Sequence, residues 1–211
     1  MQTLTISKPD DFHLHLRDGE AMSSVVNYSA AQFSRAIVMP NLKPPITTVD
    51  MAVSYYNRIL DNVNEEYNFE PLMTLYLTDN MSPSEIDKAA ETKSITALKY
   101  YPAGATTNSD SGVTDIKKIY SVLEAMMKNG LPLLLHGEVN DIEVNVFDRE
   151  KIFIDRVLTP LVDDFSELKI VLEHISTKEA VDFILNASDN LAATITPQHV
   201  LLNRSDFFDV S

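Results

Sequence analysis

The chain has 211 residues, a length that suits one domain or a small (β/α)8 barrel. Seventeen lysines and arginines stand against 31 aspartates and glutamates, and the formal net charge of −14 argues against binding nucleic acid or an anionic membrane through a basic patch. Cysteine is absent from the sequence, which excludes disulfides, thiolate metal sites and cysteine nucleophiles. The first residues lack a signal-peptide pattern and no apolar run reaches about 18 residues, so we expect a soluble cytoplasmic protein.

Short apolar runs typical of buried strands alternate with stretches of helical period along the chain. The runs are Phe12–Leu16, Ala36–Met39, Leu72–Leu77, Ile95–Tyr100, Leu131–Leu135, Ile170–Ile175 and Leu191–Ile195. Strands that alternate with helices predict βαβ units and a parallel sheet. The five glycines form neither a G-x-G-x-x-G nor a G-x-x-x-x-G-K pattern, so a phosphate-binding loop of the Rossmann or Walker type is not supported.

The segments between the runs carry helix signals. Ser82-Pro83-Ser84-Glu85 and Ser176-Thr177-Lys178-Glu179 predict capping boxes at two helix N-termini. Apolar residues recur at helical spacing from Ala52 to Val63 and from Ile116 to Met127, and Gly130 follows the second stripe at a position that suits a helix C-terminus. We interpret these tyrosine and methionine stripes as core faces rather than cofactor contacts.

Polar side chains cluster at the C-terminal ends of several predicted strands. They are His15, Arg17, Asn41, Lys99, His136 and His174. A doubly wound sheet concentrates its site at one switch point, whereas a barrel draws on nearly every strand end. The spread of these residues therefore favours the barrel.

Four of the five histidines predict a metal site. His13 and His15 are two residues apart on a predicted strand, so both side chains point to the same face. H-x-H alone is a weak pattern, but His136 and His174 also end apolar runs, which places four imidazoles at three parallel strand ends. Zinc suits imidazole and oxygen ligands. We interpret His199, beyond the seventh run, as structural or as a neighbour of the ligands.

Two cationic side chains accompany these histidines. Arg17 has the same strand parity as His15 and could reach an anion just beyond a bound metal. Lys99 lies in an otherwise buried strand, where desolvation lowers the pKa of an amine. A neutral amine can take up CO2 to form a carbamate, an oxygen ligand able to bridge two metals. From charge and burial alone we favour the plainer alternative, in which the Lys99 ammonium reaches solvent at the strand end.

Five segments occur in a fixed order along the chain: Phe12–Gly19, Ala36–Leu42, Lys99–Ser109, Leu135–Glu138 and Leu172–Ile175. Together they resemble dihydroorotases of the bacterial, short-chain type in the amidohydrolase superfamily, collinearly over essentially the whole chain. The resemblance implies an α/β fold of the (β/α)8 TIM-barrel type, with about seven of the eight units in one domain over residues 1–211. It also implies a homodimer that catalyses the reversible, zinc-dependent cyclisation of N-carbamoyl-L-aspartate to (S)-dihydroorotate, a step of de novo pyrimidine synthesis.

The resemblance assigns the metal ligands residue by residue. His13 and His15 would bind one zinc ion, and His136 and His174 would bind a second. Lys99, as N6-carboxylysine, would bridge the two ions.

The resemblance also assigns the contacts with the small-molecule substrate. The implied contact residues are His15, Arg17, Asn41 and His136. Arg17 and Asn41 match the positions that hold the substrate's α-carboxylate. Thr106 and Thr107 match the mobile loop that closes over the substrate.

One part of the family pattern has no match in the sequence. The family carries a proton-shuttling Asp in a G-T-D-S-A-P-H type motif at the end of the eighth strand. Asp206 and Asp209 fall in the loop after the seventh strand, so we identify no catalytic residue of that kind and expect the family's Asp to lie beyond Ser211. We therefore expect a truncated barrel that lacks its C-terminal part and is inactive or nearly so on its own. The alternative is that the chain is part of a longer, active polypeptide.

Two other functions remain open. A hydantoinase or an allantoinase would share the metal ligands, although Arg17 and Met39-Pro40-Asn41 favour the ring carboxylate of dihydroorotate. A non-catalytic dihydroorotase-like partner subunit would be expected to have lost metal ligands. All five ligands that can be checked are present.

Overall fold

Seven short buried segments of the chain form one parallel sheet in the computed structural model, which describes residues 3–207. The strands are β1 (Asp10–Leu14), β2 (Arg35–Val38), β3 (Glu70–Tyr76), β4 (Ile95–Tyr100), β5 (Leu133–His136), β6 (Ile170–Glu173) and β7 (Leu191–Ala193). Each strand pairs with the next one along the chain. All seven predicted strands are confirmed, and the sheet is that of seven units of the predicted barrel.

Helices connect successive strands and cover the outer face of the sheet. They are α1 (Gly19–Gln32), α2 (Val49–Leu60), α3 (Pro83–Glu91), α4 (Tyr120–Asn129), α5 (Arg149–Phe153), α6 (Thr159–Asp164), α7 (Lys178–Leu185) and α8 (Pro197–Leu201). A π-helical turn, Ile154–Leu158, joins α5 to α6. Gly130 follows α4 with φ of +69°, the left-handed conformation expected at a helix C-terminus. No helix within residues 3–207 is long and apolar enough to cross a membrane.

Strand alternation divides the buried side chains between two faces of the sheet. The larger core lies between the sheet and the helices and includes Leu98, Leu133 and Leu172. A small inner cluster of Met39, Ala97 and Leu134 faces the barrel interior. Because side chains alternate along a strand, the residue two positions after each of these also faces the interior.

Two residues further along the strands, the interior becomes polar. Lys99 follows Ala97 with the same orientation, and His136 follows Leu134. Glu173 takes the equivalent place on β6, two residues after Val171. The parallel arrangement therefore gathers these polar groups at one end of the sheet, the end at which active sites of such barrels are built.

Two predictions of capping contacts are wrong in detail. Ser82 precedes α3 as predicted, but its side chain does not cap the helix, and Glu85 accepts a hydrogen bond from the backbone N–H of Val49 at 2.7 Å. The second helix, α7, is capped by Thr177 rather than Ser176. Glu85 of α3 therefore serves the N-terminus of α2, and at the start of α7 a carboxylate from another helix is the acceptor.

The acceptor at α7 is Glu150 of α5, a buried carboxylate. Its Oε1 accepts from the backbone N–H of Thr177 at 2.9 Å and from the Thr177 hydroxyl at 2.5 Å, and the Ser176 N–H also donates to it. We expect Glu150→Ala to lower the free energy of unfolding by about 1–3 kcal/mol, because three donors lose a buried, charged partner. Urea denaturation measures this loss. Glu150→Gln keeps an acceptor and should cost less; equal losses in the two variants would contradict the capping role.

The C-terminal aspartates lie apart from the polar end of the sheet or outside the described residues. Asp206 belongs to the 3-10 turn Arg204–Phe207 and is exposed. Asp209 and Ser211 both lie outside residues 3–207, so the expectation that the family's Asp follows Ser211 stays a prediction. Within the described chain, β1 pairs only with β2, and β7 pairs only with β6.

Candidate metal centre

The end of β1 brings two imidazoles close together, edge to face, with their ring centres 4.9 Å apart. His13 lies on the strand and His15 lies just beyond its last residue, Leu14, with 3.0 Å between the two Nε2 atoms. Both side chains thus point into the same space, as the sequence predicts. The side chain of Arg17 does not follow the strand parity predicted from the sequence, because the strand has ended and Arg17 has φ of +62°.

A second pair of imidazoles stands beside the first. His136 at the end of β5 and His174 just after β6 approach to 3.3 Å between Nδ1 and Nε2. The ring centres of His13 and His174 are 5.1 Å apart, so the two pairs form one continuous row of four rings. The four histidines selected from the sequence therefore meet at a single place, although they are up to 161 residues apart in the chain (174 − 13).

Lys99 lies beneath this row and is completely buried, so the prediction that its ammonium reaches solvent is wrong. The ammonium is in direct contact with the carboxylate of Glu173, which is also buried. The other carboxylate oxygen of Glu173 lies 2.9 Å from Nδ1 of His13. The centre of the Tyr101 ring lies 4.8 Å from Nζ of Lys99. The carboxylate of Glu173 therefore supplies the counter-charge and hydrogen-bond acceptor that water would supply to an exposed ammonium.

Glu173 is a site residue that was not predicted from the sequence. It directly precedes His174 and lies in the apolar run Ile170–Ile175, where glutamate is almost never fully buried without a partner. That rule, applied to Lys99 and Glu173 together, would have predicted the pair. His13, Glu173 and His174 also form the cluster of potential metal-ligating groups found among the described residues, with ligand atoms within 4.8 Å of one another.

Burial and charge set the protonation states of this cluster. Burial alone would raise the pKa of Glu173, but the charge of Lys99 and the hydrogen bond from His13 hold it at about 2. Burial lowers the pKa of Lys99, and Glu173 opposes that shift. Burial is also the largest cause that lowers the pKa of His174 to about 2 and that of His15 to about 4. The site therefore favours the neutral form of His15 and His174, the form that binds metals.

Asn41 connects the histidines to the loop after β4. Its side chain is buried, and its Oδ1 accepts a hydrogen bond from Nδ1 of His15 at 2.9 Å. Its Nδ2 donates to the backbone carbonyl of Thr107 at 3.0 Å, and Asn108 donates to the Asn41 carbonyl at 3.0 Å. Asn41 thus fixes the orientation of one imidazole and the position of the loop.

A cleft of about 870 Å³ opens over the row of imidazoles. With the exception of Lys99, every site residue predicted from the sequence lines this cleft: His13, His15, Arg17, Asn41, Thr106, Thr107, His136 and His174. Thr106 and Thr107 are exposed at its rim. His199 also borders the cleft, but it is exposed and contacts Thr196 rather than the other histidines.

A family model described as the Amidohydrolase family matches residues 10–207, which is nearly the whole described chain. The chain belongs to the amidohydrolase family. The fold expected from the sequence motifs is thereby confirmed.

Several dihydroorotases are similar to this amidohydrolase. The dihydroorotase of Acaryochloris marina is 60% identical over 208 residues, which are 99% of this chain and 60% of that protein. The crystal structure of dihydroorotase from Campylobacter jejuni is 39% identical, with a TM-score of 0.89 over 97% of this chain and 58% of that one. Dihydroorotase from Saccharomyces cerevisiae, in complex with 5-fluoroorotic acid, is 34% identical, with a TM-score of 0.85 over 96% of this chain and 59% of that one. This amidohydrolase spans about 60% of the length of the curated relatives it matches.

The donor atoms of this amidohydrolase fit divalent metal ions. A tetrahedral ion with bonds of about 2.0–2.1 Å holds neighbouring nitrogens about 3.3 Å apart. The facing nitrogens of His13 and His15 and of His136 and His174 lie at 3.0 and 3.3 Å. Nε2 of His136 is buried without a hydrogen-bond partner in the described part of the chain. The two pairs of converging imidazoles are suited to hold cations, and the second nitrogens of His13 and His15 are oriented by Glu173 and Asn41.

The neutral imidazoles predict a loss of stability in acid. The unfolded chain takes up protons at His15 and His174 near pH 6.5, whereas the folded chain does not until about pH 4 and pH 2. Their contribution is therefore fully present above pH 6.5 and is lost as the pH falls below it. Without added metal, we expect the free energy of unfolding to fall by about 2–4 kcal/mol between pH 7 and pH 5. Urea denaturation at a series of pH values measures this slope. His174→Asn should flatten it by about half, and an unchanged slope in that variant would contradict the assignment.

Proposed function

We propose that the protein is a dihydroorotase, which hydrolyses the cyclic amide of (S)-dihydroorotate to N-carbamoyl-L-aspartate and closes the same ring in reverse. The observation that carries the proposal is the row of four imidazoles above Lys99, in one cleft with Arg17 and Asn41. The identity of about 60% to curated dihydroorotases over nearly the whole chain supports it.

The proposed metal centre holds two zinc ions. His13 and His15 would bind one ion, and His136 and His174 would bind the other, with Lys99 between them as N6-carboxylysine. Two bound divalent ions lower the pKa of water and polarise the scissile carbonyl.

Lys99 is well placed for carboxylation because its amine is buried and its pKa is lowered by that burial. The ammonium would first release one proton to solvent; the neutral Nζ would then attack the carbon of CO2 and lose a second proton, which yields a carbamate with two oxygen ligands. One N–H remains on Nζ and can donate to Glu173, so the contact between the two side chains changes from an ion pair to a hydrogen bond. Glu173 would also keep the His13 ring oriented through Nδ1.

Arg17 and Asn41 select the substrate in this proposal. The guanidinium of Arg17 presents a planar fork of donors to the substrate's carboxylate. The Asn41 amide adds a donor beside it, and His15 and His136 border the same space. The acidic surface does not prevent binding of an anion, because local metal and arginine charges dominate inside the cleft.

The loop after β4 would close the cleft over the substrate. Thr106 and Thr107 lie at its rim. Two hydrogen bonds attach their loop to Asn41, whose amide donates to the Thr107 carbonyl and whose own carbonyl accepts from Asn108. Closure would exclude water other than the reacting molecule. The resemblance to dihydroorotases also supports a role in pyrimidine synthesis in the cytoplasm and a homodimeric state as parts of the proposal.

A substrate panel tests the proposal. We expect protein purified from its complete reading frame, supplied with zinc and bicarbonate, to hydrolyse dihydroorotate in preference to hydantoin, dihydrouracil and allantoin. A preference of about 100-fold corresponds to about 2.7 kcal/mol, within reach of a charge-assisted contact between Arg17 and the substrate carboxylate. Preferential hydrolysis of hydantoin, dihydrouracil or allantoin would favour the other cyclic amidohydrolases. Binding of zinc without turnover of any substrate in the panel would favour a non-catalytic subunit.

A further inference from the structure

The backbone of Arg17 adopts a conformation that is rare for its residue type. Its φ of +62° lies in the left-handed region, which non-glycine residues avoid. The preceding residue, Leu16, is completely buried, and the following residue, Asp18, caps α1 by accepting a hydrogen bond from the Gly19 N–H. A strained residue of this kind persists only where its surroundings hold it in place.

One buried side chain holds the Arg17 backbone from across the fold. Tyr55 of α2 is completely buried, and its hydroxyl donates a hydrogen bond of 2.5 Å to the Arg17 carbonyl oxygen. Burial raises the pKa of the Tyr55 hydroxyl well above its usual range, so the group remains a donor. Tyr55 belongs to a core stripe predicted from the sequence. Packing in the core explains why its ring is buried, but not why its hydroxyl points to the Arg17 carbonyl.

The next turn of α2 contacts the Tyr55 ring and Asp18, the residue that follows Arg17. The guanidinium of Arg58 lies 5.3 Å from the centre of the Tyr55 ring. Its Nε and Nη2 donate to the two carboxylate oxygens of Asp18 at 3.1 and 2.7 Å. Helix α2 therefore contacts the loop at two successive residues, Arg17 and Asp18, and Arg17 lines the cleft.

We propose that Tyr55 is a positioning residue for Arg17, whose backbone it holds so that the guanidinium meets the carboxylate of the substrate. The inference rests on the proposed function, in which Arg17 binds that carboxylate. The arginine side chain is long, so a small rotation of its backbone displaces the guanidinium by several times as much. A donor fork binds a carboxylate with two parallel hydrogen bonds and tolerates little misplacement.

Tyr55→Phe tests the inference, since phenylalanine fills the same core volume and removes only the hydroxyl. We expect KM for dihydroorotate to rise by about five- to tenfold, with kcat changed by less than about twofold. Zinc content and the thermal midpoint should stay close to those of the parent protein. Tyr56→Phe is the matched control: it lies next to Tyr55 on α2, is half-buried, and should leave KM unchanged.

A double-mutant cycle separates positioning of Arg17 from a general structural effect. Arg17→Gln should raise KM by about 100-fold or more. Adding Tyr55→Phe to Arg17→Gln should then raise KM no further, because there is no guanidinium left to position. If the two effects multiply instead, Tyr55 acts through something other than Arg17, and the inference is wrong.

The same series distinguishes the inference from the function on which it rests. If Arg17→Gln leaves KM for dihydroorotate unchanged, the proposed carboxylate contact fails. If Arg17→Gln raises KM and Tyr55→Phe does not, only the positioning role fails. Arg58→Gln is a second variant, which leaves Tyr55 in place but removes the hydrogen bonds from the Arg58 guanidinium to Asp18. It should raise KM in the same direction and by less, whereas a KM raised by Arg58→Gln but not by Tyr55→Phe would overturn the inference.

Discussion

Replacing Lys99 with methionine is expected to lower dihydroorotate hydrolysis by about three orders of magnitude or more and to reduce the zinc bound per chain. Methionine fills a similar volume in the buried site but offers neither an amine for carboxylation nor an oxygen ligand. The loss of several kcal/mol of transition-state stabilisation corresponds to a decrease of this size. Steady-state kinetics and metal analysis of the same preparation measure the two effects.

Exposed Lys93, between α3 and β4, provides the matched control for Lys99. Lys93→Met should change neither activity nor zinc content. After incubation with ¹³C-bicarbonate, the parent protein should show a carbamate carbon resonance that is missing from Lys99→Met and present in Lys93→Met. Activity of Lys99→Met within tenfold of the parent would exclude Lys99 from the metal centre.

The second large effect is expected at Glu173, the only buried carboxylate in contact with Lys99 among the described residues. In chelator-treated protein without bicarbonate, Glu173→Ala should lower the free energy of unfolding by about 3–5 kcal/mol, because it leaves a buried ammonium without its counter-charge. Urea denaturation with linear extrapolation measures the loss. Glu124→Ala removes an exposed glutamate of α4 and should cost less than about 0.5 kcal/mol.

A double variant tests whether the pair itself causes the effect at Glu173. Lys99→Met combined with Glu173→Leu removes both charges and leaves apolar groups of similar size. It should recover most of the stability lost in Glu173→Ala, because an apolar pair replaces a buried ion pair at little cost. If the double variant is less stable than Glu173→Ala, the contact between Lys99 and Glu173 does not account for the loss.

The sequence predicts the strands of this protein well because each one is a short apolar run buried on both faces of a parallel sheet. It also predicts which polar residues converge, since the C-terminal ends of parallel strands share one edge. The shared edge is enough to predict that His13, His136 and His174 meet, without any knowledge of their tertiary contacts.

Side-chain contacts between distant elements cannot be predicted from these strand and helix patterns. Lys99 was expected to reach solvent because its partner, Glu173, lies on a strand two places away in the sheet. The acceptor for the backbone N–H groups just before α7 is Glu150 on another helix, and a local capping box cannot reveal it. The left-handed backbone of Arg17 is likewise held by a hydroxyl from α2, so strand parity could not place its side chain.

The most direct test of the account is a titration of chelator-treated protein with zinc in the presence of bicarbonate, followed by dihydroorotate hydrolysis. We predict that activity rises with bound zinc and reaches its plateau near two ions per chain, and that variants of the imidazole row lower the number of ions bound. Full activity in the chelator-treated protein, or zinc binding that is unchanged when both His136 and His174 are replaced, would contradict the account.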